Sequence, residues 1–172
     1  GDLYADVRIT DLSLPLTKLP FTVGTVKIKN GFFKVPGMAK ALNNIDLTSD
    51  FRGKDFDVTV NRLTCGKSVL KKAVLSVKGL ESPRFNVVAN MDRLDISDFR
   101  NDSEFRIGSM KKEGFLARTS GNMSLRVKEL KTGKVQGNDL EINAFMTDRK
   151  INISELKLRM FEGEVDAKGM AD

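Results

Sequence analysis

Apolar and polar residues alternate with a period of two along most of the chain. Phe85, Val87 and Ala89 occupy every second position of one stretch, and the same pattern recurs in segments 122–128 and 164–171. Such alternation buries one face of a strand and leaves the other in water, which is typical of antiparallel sheets. Turn-forming residues separate about ten such segments. The pattern therefore predicts an all-β protein: a curved antiparallel meander sheet of about ten strands.

The sharpest turn signal is Asn30-Gly31, because both residues tolerate the positive φ angles of a type I′ hairpin. A two-residue loop there predicts that Ile28 lies opposite Phe33. Further turns are expected at 52–54, 66–67, 81–83, 132–133, 148–149 and 162–163.

Two of the expected strands change phase partway along. Val58 and Val60 are two residues apart and share one face of the expected strand, whereas Leu63 follows three residues later and would fall on the other face. The pair Ile151 and Ile153 is followed by the same three-residue step to Leu156. A one-residue slip is what a β-bulge produces, and bulges bend and twist a strand. Two bulged strands predict a sheet that curls.

The two slips belong to similar segments. Residues 43–48 resemble 138–143, and residues 58–63 resemble 151–156. We interpret this as an internal repeat, with a first β-repeat at 1–93 and a second at 119–172.

Between the repeats, segment 94–118 loses the alternation and is expected to be a linker or a flap. A short helix can begin there, with Asp95 or Ser97 as its N-cap. A flap would cover part of the apolar face with the apolar residues Phe99, Phe105, Ile107 and Phe115.

Histidine is absent and Cys65 is the single cysteine. An internal disulfide, histidine acid–base chemistry and His/Cys metal clusters are therefore excluded. We expect Cys65 to be a free thiol on a strand that pairs with the one beginning near Ser68. The acid pair Asp92 and Asp95 is expected at solvated positions. We predict that the protein is not an enzyme and has no catalytic, cofactor-binding or metal-binding residues.

Gly66-Lys67-Ser68 is similar to the end of a phosphate-binding loop. The upstream glycine of that motif would stand at position 61, which is Asn61, and no helical pattern follows. We interpret these residues as a hairpin turn.

The net charge is +6, and the basic residues are spread along the chain rather than grouped with aromatics. Trp is absent and there is one Tyr, so a nucleic-acid partner is not expected. The sequence begins within the strand pattern and without Met, so we expect any membrane anchor to lie outside it.

The apolar face has two interpretations: the closed core of a β-sandwich, which would be a structural or interaction module without lipid binding, or an open groove for lipid. The flexible thioethers of Met91, Met123, Met146 and Met160 suit irregular ligands. For an open groove, the two repeated segments supply the candidate lipid-contact residues Phe56, Val58, Val60, Leu140, Ile142, Ile151 and Ile153.

Segments 137–142 and 153–169 resemble the C-terminal repeat of the AsmA-like family of bacterial envelope proteins, whose relatives include TamB and YhdP. In that family a strand ends in an aromatic-then-glycine turn and returns through small residues, as Phe161, Gly163, Ala167 and Gly169 do here. Segment 21–80 is similar to an earlier copy. The resemblance implies a β-groove that contacts phospholipid acyl chains and conducts phospholipid between the inner and outer membranes, or otherwise maintains envelope integrity, together with other envelope proteins. It also implies a periplasmic location, attached to the inner membrane in the full-length protein, and a role in outer-membrane biogenesis.

Overall fold

The computed structural model describes residues 1–10, 21–35, 38–79, 82–99, 119–147 and 150–171. Its strands are β1 (Asp2–Thr10), β2 (Phe21–Phe33), β3 (Leu42–Gly53), β4 (Asp55–Cys65), β5 (Ser68–Lys78), β6 (Arg84–Asp95), β7 (Ser120–Thr132), β8 (Val135–Thr147), β9 (Lys150–Met160) and β10 (Gly163–Ala171). A 3₁₀ turn spans Ile96–Asp98. The helix expected after residue 94 is this single turn. It begins, as predicted, after Asp95, whose carboxylate caps it by accepting a hydrogen bond from the Ser97 amide.

The ten strands form one open, curved sheet in chain order. The predicted all-β class and strand number are confirmed. Every neighbouring pair is antiparallel except β6 and β7, which run parallel with Arg84 opposite Ser120. An antiparallel meander was therefore wrong at one junction. The chain leaves β6 at one end of the sheet and enters β7 at the other, through a segment of which residues 100–118 lie outside the described residues.

The Asn30-Gly31 hairpin is also wrong. Both residues lie inside β2, where Ile28 pairs with Leu47 and Gly31 with Ile45 across a register shift. Asn30 has φ 51°, so the positive φ that the pair supplies is used in a β-bulge rather than a turn. A bulge needs only one such residue, and the long partner β3 makes continuation of the strand more favourable than reversal.

The predicted bulges of β4 and β9 are confirmed. Arg62 pairs with Asp46 and Val60 with Leu47, so one residue of β4 is left over between them. In β9, Ile153 pairs with Ala144 and the next paired residue is two positions further on. The similar segments of β3 and β8 also share a backbone feature, since Asn44 and Asp139 have φ 51° and 52°. The division into two repeats with a linker or flap at 94–118 stays a prediction, and the flap residues Phe105, Ile107 and Phe115 lie outside the described residues.

Candidate functional site

Apolar side chains from every strand between β2 and β9 lie on one side of the sheet, which we call the apolar face. Residues directly opposite on paired strands share a face, so the pairing register arranges them in rows that cross the sheet. The first row contains Ile28, Leu47, Val60, Ala73, Ala89, Leu125, Ile142, Leu156 and Ala167. The second contains Val26, Ser49, Val58, Leu75, Val87, Met123, Ala144, Ile153 and Gly169.

A third row is rich in aromatic residues and glycine. It contains Gly24, Phe51, Phe56, Val77, Phe85, Gly121, Met146 and Ile151. The rings of Phe51 and Phe56 have centroids 6.1 Å apart, within the range of favourable aromatic pairs. A Cβ atom at Gly121 would stand 2.6 Å from Cγ of Phe85, so this ring lies over the glycine. A fourth, shorter row contains Leu63, Leu70, Met91, Val127 and Leu140.

All seven residues that the sequence nominated for lipid contact lie on the apolar face. Leu140 is buried and the other six are half-buried. They form two groups: one lies on β4, and the other lies on β8 and β9. The central residues between them, such as Leu75, Val87 and Met123, were not nominated. Their alternation was visible in the sequence, but the nomination used only the two similar segments.

The opposite face is polar and carries ion pairs between neighbouring strands. Arg126 donates to Glu141 at 2.9 Å, and Lys128 Nζ lies 3.1 Å from Asp92 Oδ1. The hydrogen bond from Lys128 is the main cause that lowers the pKa of Asp92. A depression of about 300 Å³ on this face is lined mainly by these charged groups and their neighbours. Arg126 pairs with Glu141 and Lys128 with Asp92 inside this depression, and Asp139 pairs with Arg159 beside it, so most of its charge is already compensated.

Within the described residues, nothing forms a second layer over the apolar face. All the strands belong to one sheet, and substantial contacts join only strands that are neighbours in it. In β6 the exposed residues Arg84, Asn86 and Val88 alternate with the half-buried Phe85 and Val87. The apolar side chains thus shield one another along the rows, yet most of them keep part of their surface open.

A buried polar cluster lies at the end of the β4–β5 hairpin. The Asp98 carboxylate is 4% exposed and accepts hydrogen bonds from the amides of Lys67 and Ser68, both at 2.8 Å, and from the Ser68 hydroxyl at 2.9 Å. The similarity of Gly66-Lys67-Ser68 to a phosphate-binding loop has a physical basis, because these amides do bind an anion. The anion is the chain's own carboxylate, and the hairpin turn at 66–67 is confirmed.

The same cluster corrects one expectation and bears out another. Asp95, expected in solvent, is 3% exposed because its carboxylate caps the 3₁₀ turn. Its pKa is lowered, mainly by the hydrogen bond from the Ser97 hydroxyl. Cys65 is a free thiol opposite Ser68 on paired strands, as predicted, and the structure shows that it is buried. Burial, with the nearby Asp98 charge, raises the pKa of this thiol, so it stays protonated at neutral pH and is a poor nucleophile.

No group of three or more Cys, Asp or Glu side chains in the described ranges is arranged to hold a metal ion. None of the helical structure described here is long and apolar enough to cross a membrane. Comparisons of the chain with protein-family models, with curated proteins and with solved structures found no match.

Proposed function

We propose that the apolar face is a groove for phospholipid acyl chains. The chain would be a groove-forming segment of an AsmA-like periplasmic protein that conducts phospholipid between the inner and outer membranes. The observation that carries the proposal is the continuity of the rows: apolar or small side chains follow one another across the sheet, interrupted in the first two rows only by Ser49. A face of this size without a described cover is what a ligand groove or an interaction surface requires.

The dimensions and energies suit an acyl chain. Ten strands at a spacing of about 4.8 Å give a face about 43 Å across, and successive rows lie about 6.7 Å apart. Exposing a sixteen-carbon chain to water costs about 13 kcal/mol at about 0.8 kcal/mol for each methylene. Rows that shield the chain at every strand lower this barrier without one deep site. Residues such as Met123 and Met146 add flexible thioethers that adapt to an irregular chain.

Two adjacent valines provide a matched test. Val87 lies on the apolar face between Leu75 and Met123, and Val88 lies on the polar face between Val74 and Ser124. The variants V87E and V88E therefore introduce the same charge one residue apart, on opposite sides of the same strand. The purified protein and both variants are incubated with a phospholipid that carries a photo-reactive acyl chain. Cross-linking yield, cross-linked peptides and melting temperature are measured for each.

We expect the parent protein to cross-link through peptides of the apolar face. V88E keeps that yield, and V87E loses most of it while melting within a few degrees of V88E, because a charge beside an open groove stays hydrated. V58E and T59E form a second pair, since Val58 and Thr59 also lie on opposite faces. Failure of the parent to cross-link, or cross-links spread over both faces, overturns the proposal. If in addition V87E unfolds, the face is a closed core, as in the sandwich alternative, because burying an unpaired charge costs several kcal/mol.

A further inference from the structure

The two ends of the strands differ in which side chains they expose. One end contains the last residues of β2, the 3₁₀ turn and the β4–β5, β7–β8 and β9–β10 turns. Here Phe161 is 87% exposed, Phe32 68% and Phe33 57%, and Ile96 and Val135 are also exposed. We call this surface the aromatic end. At the opposite end, the described turn residues in 53–55, 79, 82–84, 147 and 150 include no exposed large apolar side chain. The strand residues near that end expose Met170 at 67%, Val23 at 43% and Phe145 at 42%, so the contrast lies in the exposed phenylalanines at the tips of the aromatic end.

The aromatic end is also basic. Lys34, Lys40, Lys67 and Lys134 are exposed at its turns and loops, and Glu162 is the acidic residue at its β9–β10 turn. Counting the two buried carboxylates Asp95 and Asp98 with Glu162, the described turns and loops of this end hold four lysines against three acids, so the local charge is positive. Apolar tips interleaved with lysines form an amphipathic surface of the kind that lies at the boundary of headgroups and acyl chains.

Phe161 gives an independent reason to look for a contact at this end. It stands in the two-residue turn between Met160 and Gly163 with φ 52°. Glycine and asparagine adopt this backbone conformation easily, whereas a bulky side chain is strained there. The side chain touches little of the described protein, since 87% of it is exposed. A strained and exposed phenylalanine gains nothing for folding, so its apolar surface is best explained by a partner outside the chain.

We propose that the aromatic end docks on the surface of an anionic phospholipid bilayer. The phenylalanine side chains insert at the headgroup boundary, and the lysines approach the lipid phosphates. An anionic surface is favoured over a neutral one because the local charge and the net charge of +6 are both positive. The proposal does not depend on the groove, since it concerns the strand ends and not the apolar face.

The test measures partition of the protein onto sedimenting vesicles of phosphatidylethanolamine and phosphatidylglycerol, with pure phosphatidylcholine vesicles as the neutral comparison. The apolar contribution is removed in F32S/F161N, in which asparagine suits the φ of position 161. The charge contribution is removed in K34E/K67E/K134E. Matched controls are F145S, an exposed phenylalanine of β8 near the other end, and K27E/K72E/K78E, three exposed lysines that lie within strands or at the other end.

We expect salt-sensitive binding to the anionic vesicles. The partition coefficient should fall on the order of a hundredfold in the lysine variant, from about 1 kcal/mol for each basic residue near the surface. It should fall at least about tenfold in the phenylalanine variant and little in either control. Absence of binding to anionic vesicles, or equal loss in variants and controls, overturns the proposal. So does self-association without vesicles that F32S/F161N abolishes, because the aromatic end would then pack against a second copy.

Discussion

Replacing Asp98 with alanine removes the carboxylate that ties the 3₁₀ turn to the β4–β5 hairpin. The amides of Lys67 and Ser68 would lose their acceptor, and the Ser68 hydroxyl would keep only the Asp95 carbonyl oxygen, 3.3 Å away. A hydrogen bond to a charged group contributes about 1.5–3 kcal/mol, so a simple sum is about 4.5–9 kcal/mol. Lys67 is exposed, and water can replace part of what its amide loses. We therefore expect D98A to lower the free energy of unfolding by about 3–5 kcal/mol.

Urea unfolding followed by circular dichroism measures this loss, since the chain has no tryptophan. D98N keeps the size and one oxygen acceptor of the side chain, and should cost clearly less than D98A. E162A, which removes an exposed carboxylate, controls for the change in net charge. S68A and the double variant D98A/S68A complete a cycle, and the double variant should lose less stability than the sum of the two single variants because the two side chains share a hydrogen bond.

Hydrogen exchange locates the effect. The amides of Lys67 and Ser68 should be protected in the parent and exchange rapidly in D98A, while amides in the middle of β8 stay protected. A loss below about 1 kcal/mol in D98A would refute the reasoning, because a buried acceptor of three hydrogen bonds cannot be removed so cheaply. Equal losses in D98A and D98N would also refute it, since the side-chain oxygen would then be irrelevant.

Further outcomes follow from the same geometry. G121A should lose about 2 kcal/mol in urea unfolding, because the new methyl group would collide with the carbonyl and ring of the phenylalanine opposite it. F161G should gain about 1 kcal/mol of stability by relieving the positive φ, and a loss would contradict this. Lys128 lowers the pKa of Asp92, so the stability from this pair is present above the ordinary carboxyl pKa and lost as pH falls through the lowered value. The free energy of unfolding of D92N should therefore change less with pH in the acid range than that of the parent. Cys65 should resist a thiol reagent in native buffer and react in denaturant, and rapid native labelling would contradict its burial.

The two faces of each strand could be predicted because the side-chain period of a strand is fixed by its geometry. Once Val87 is assigned inward, Val88 must point outward, whatever lies next to the strand. The bulges at Asn61 and Ser154 were likewise predictable, because a slip in the pattern of apolar residues must be absorbed by the backbone if all of them are to reach the same face.

Pairing was harder to predict. Asn30-Gly31 supplies a positive φ, which serves a bulge as well as a turn, and the outcome depends on which strand lies alongside. The contact between Asp98 and the amides of Lys67 and Ser68 joins positions about thirty residues apart, and no local pattern encodes it. The parallel junction has the same origin: hydrophobic alternation defines the face of a strand but carries no information about its direction.

The direction of the second half nevertheless decides what the ends of the sheet present. Reversal of a strand within the sheet plane leaves its apolar side chains on the same face, so the rows would survive a hairpin between β6 and β7. The turns would change ends of the sheet, however, because every strand from β7 onward would run in the opposite direction. Val135 and Phe161 would then lie at the opposite end from Phe32 and Lys67. The parallel junction thus brings the exposed phenylalanines and lysines of both halves to one end. The groove depends on the period of two, whereas the aromatic end depends on this single crossover, and for that reason the two proposals can fail separately.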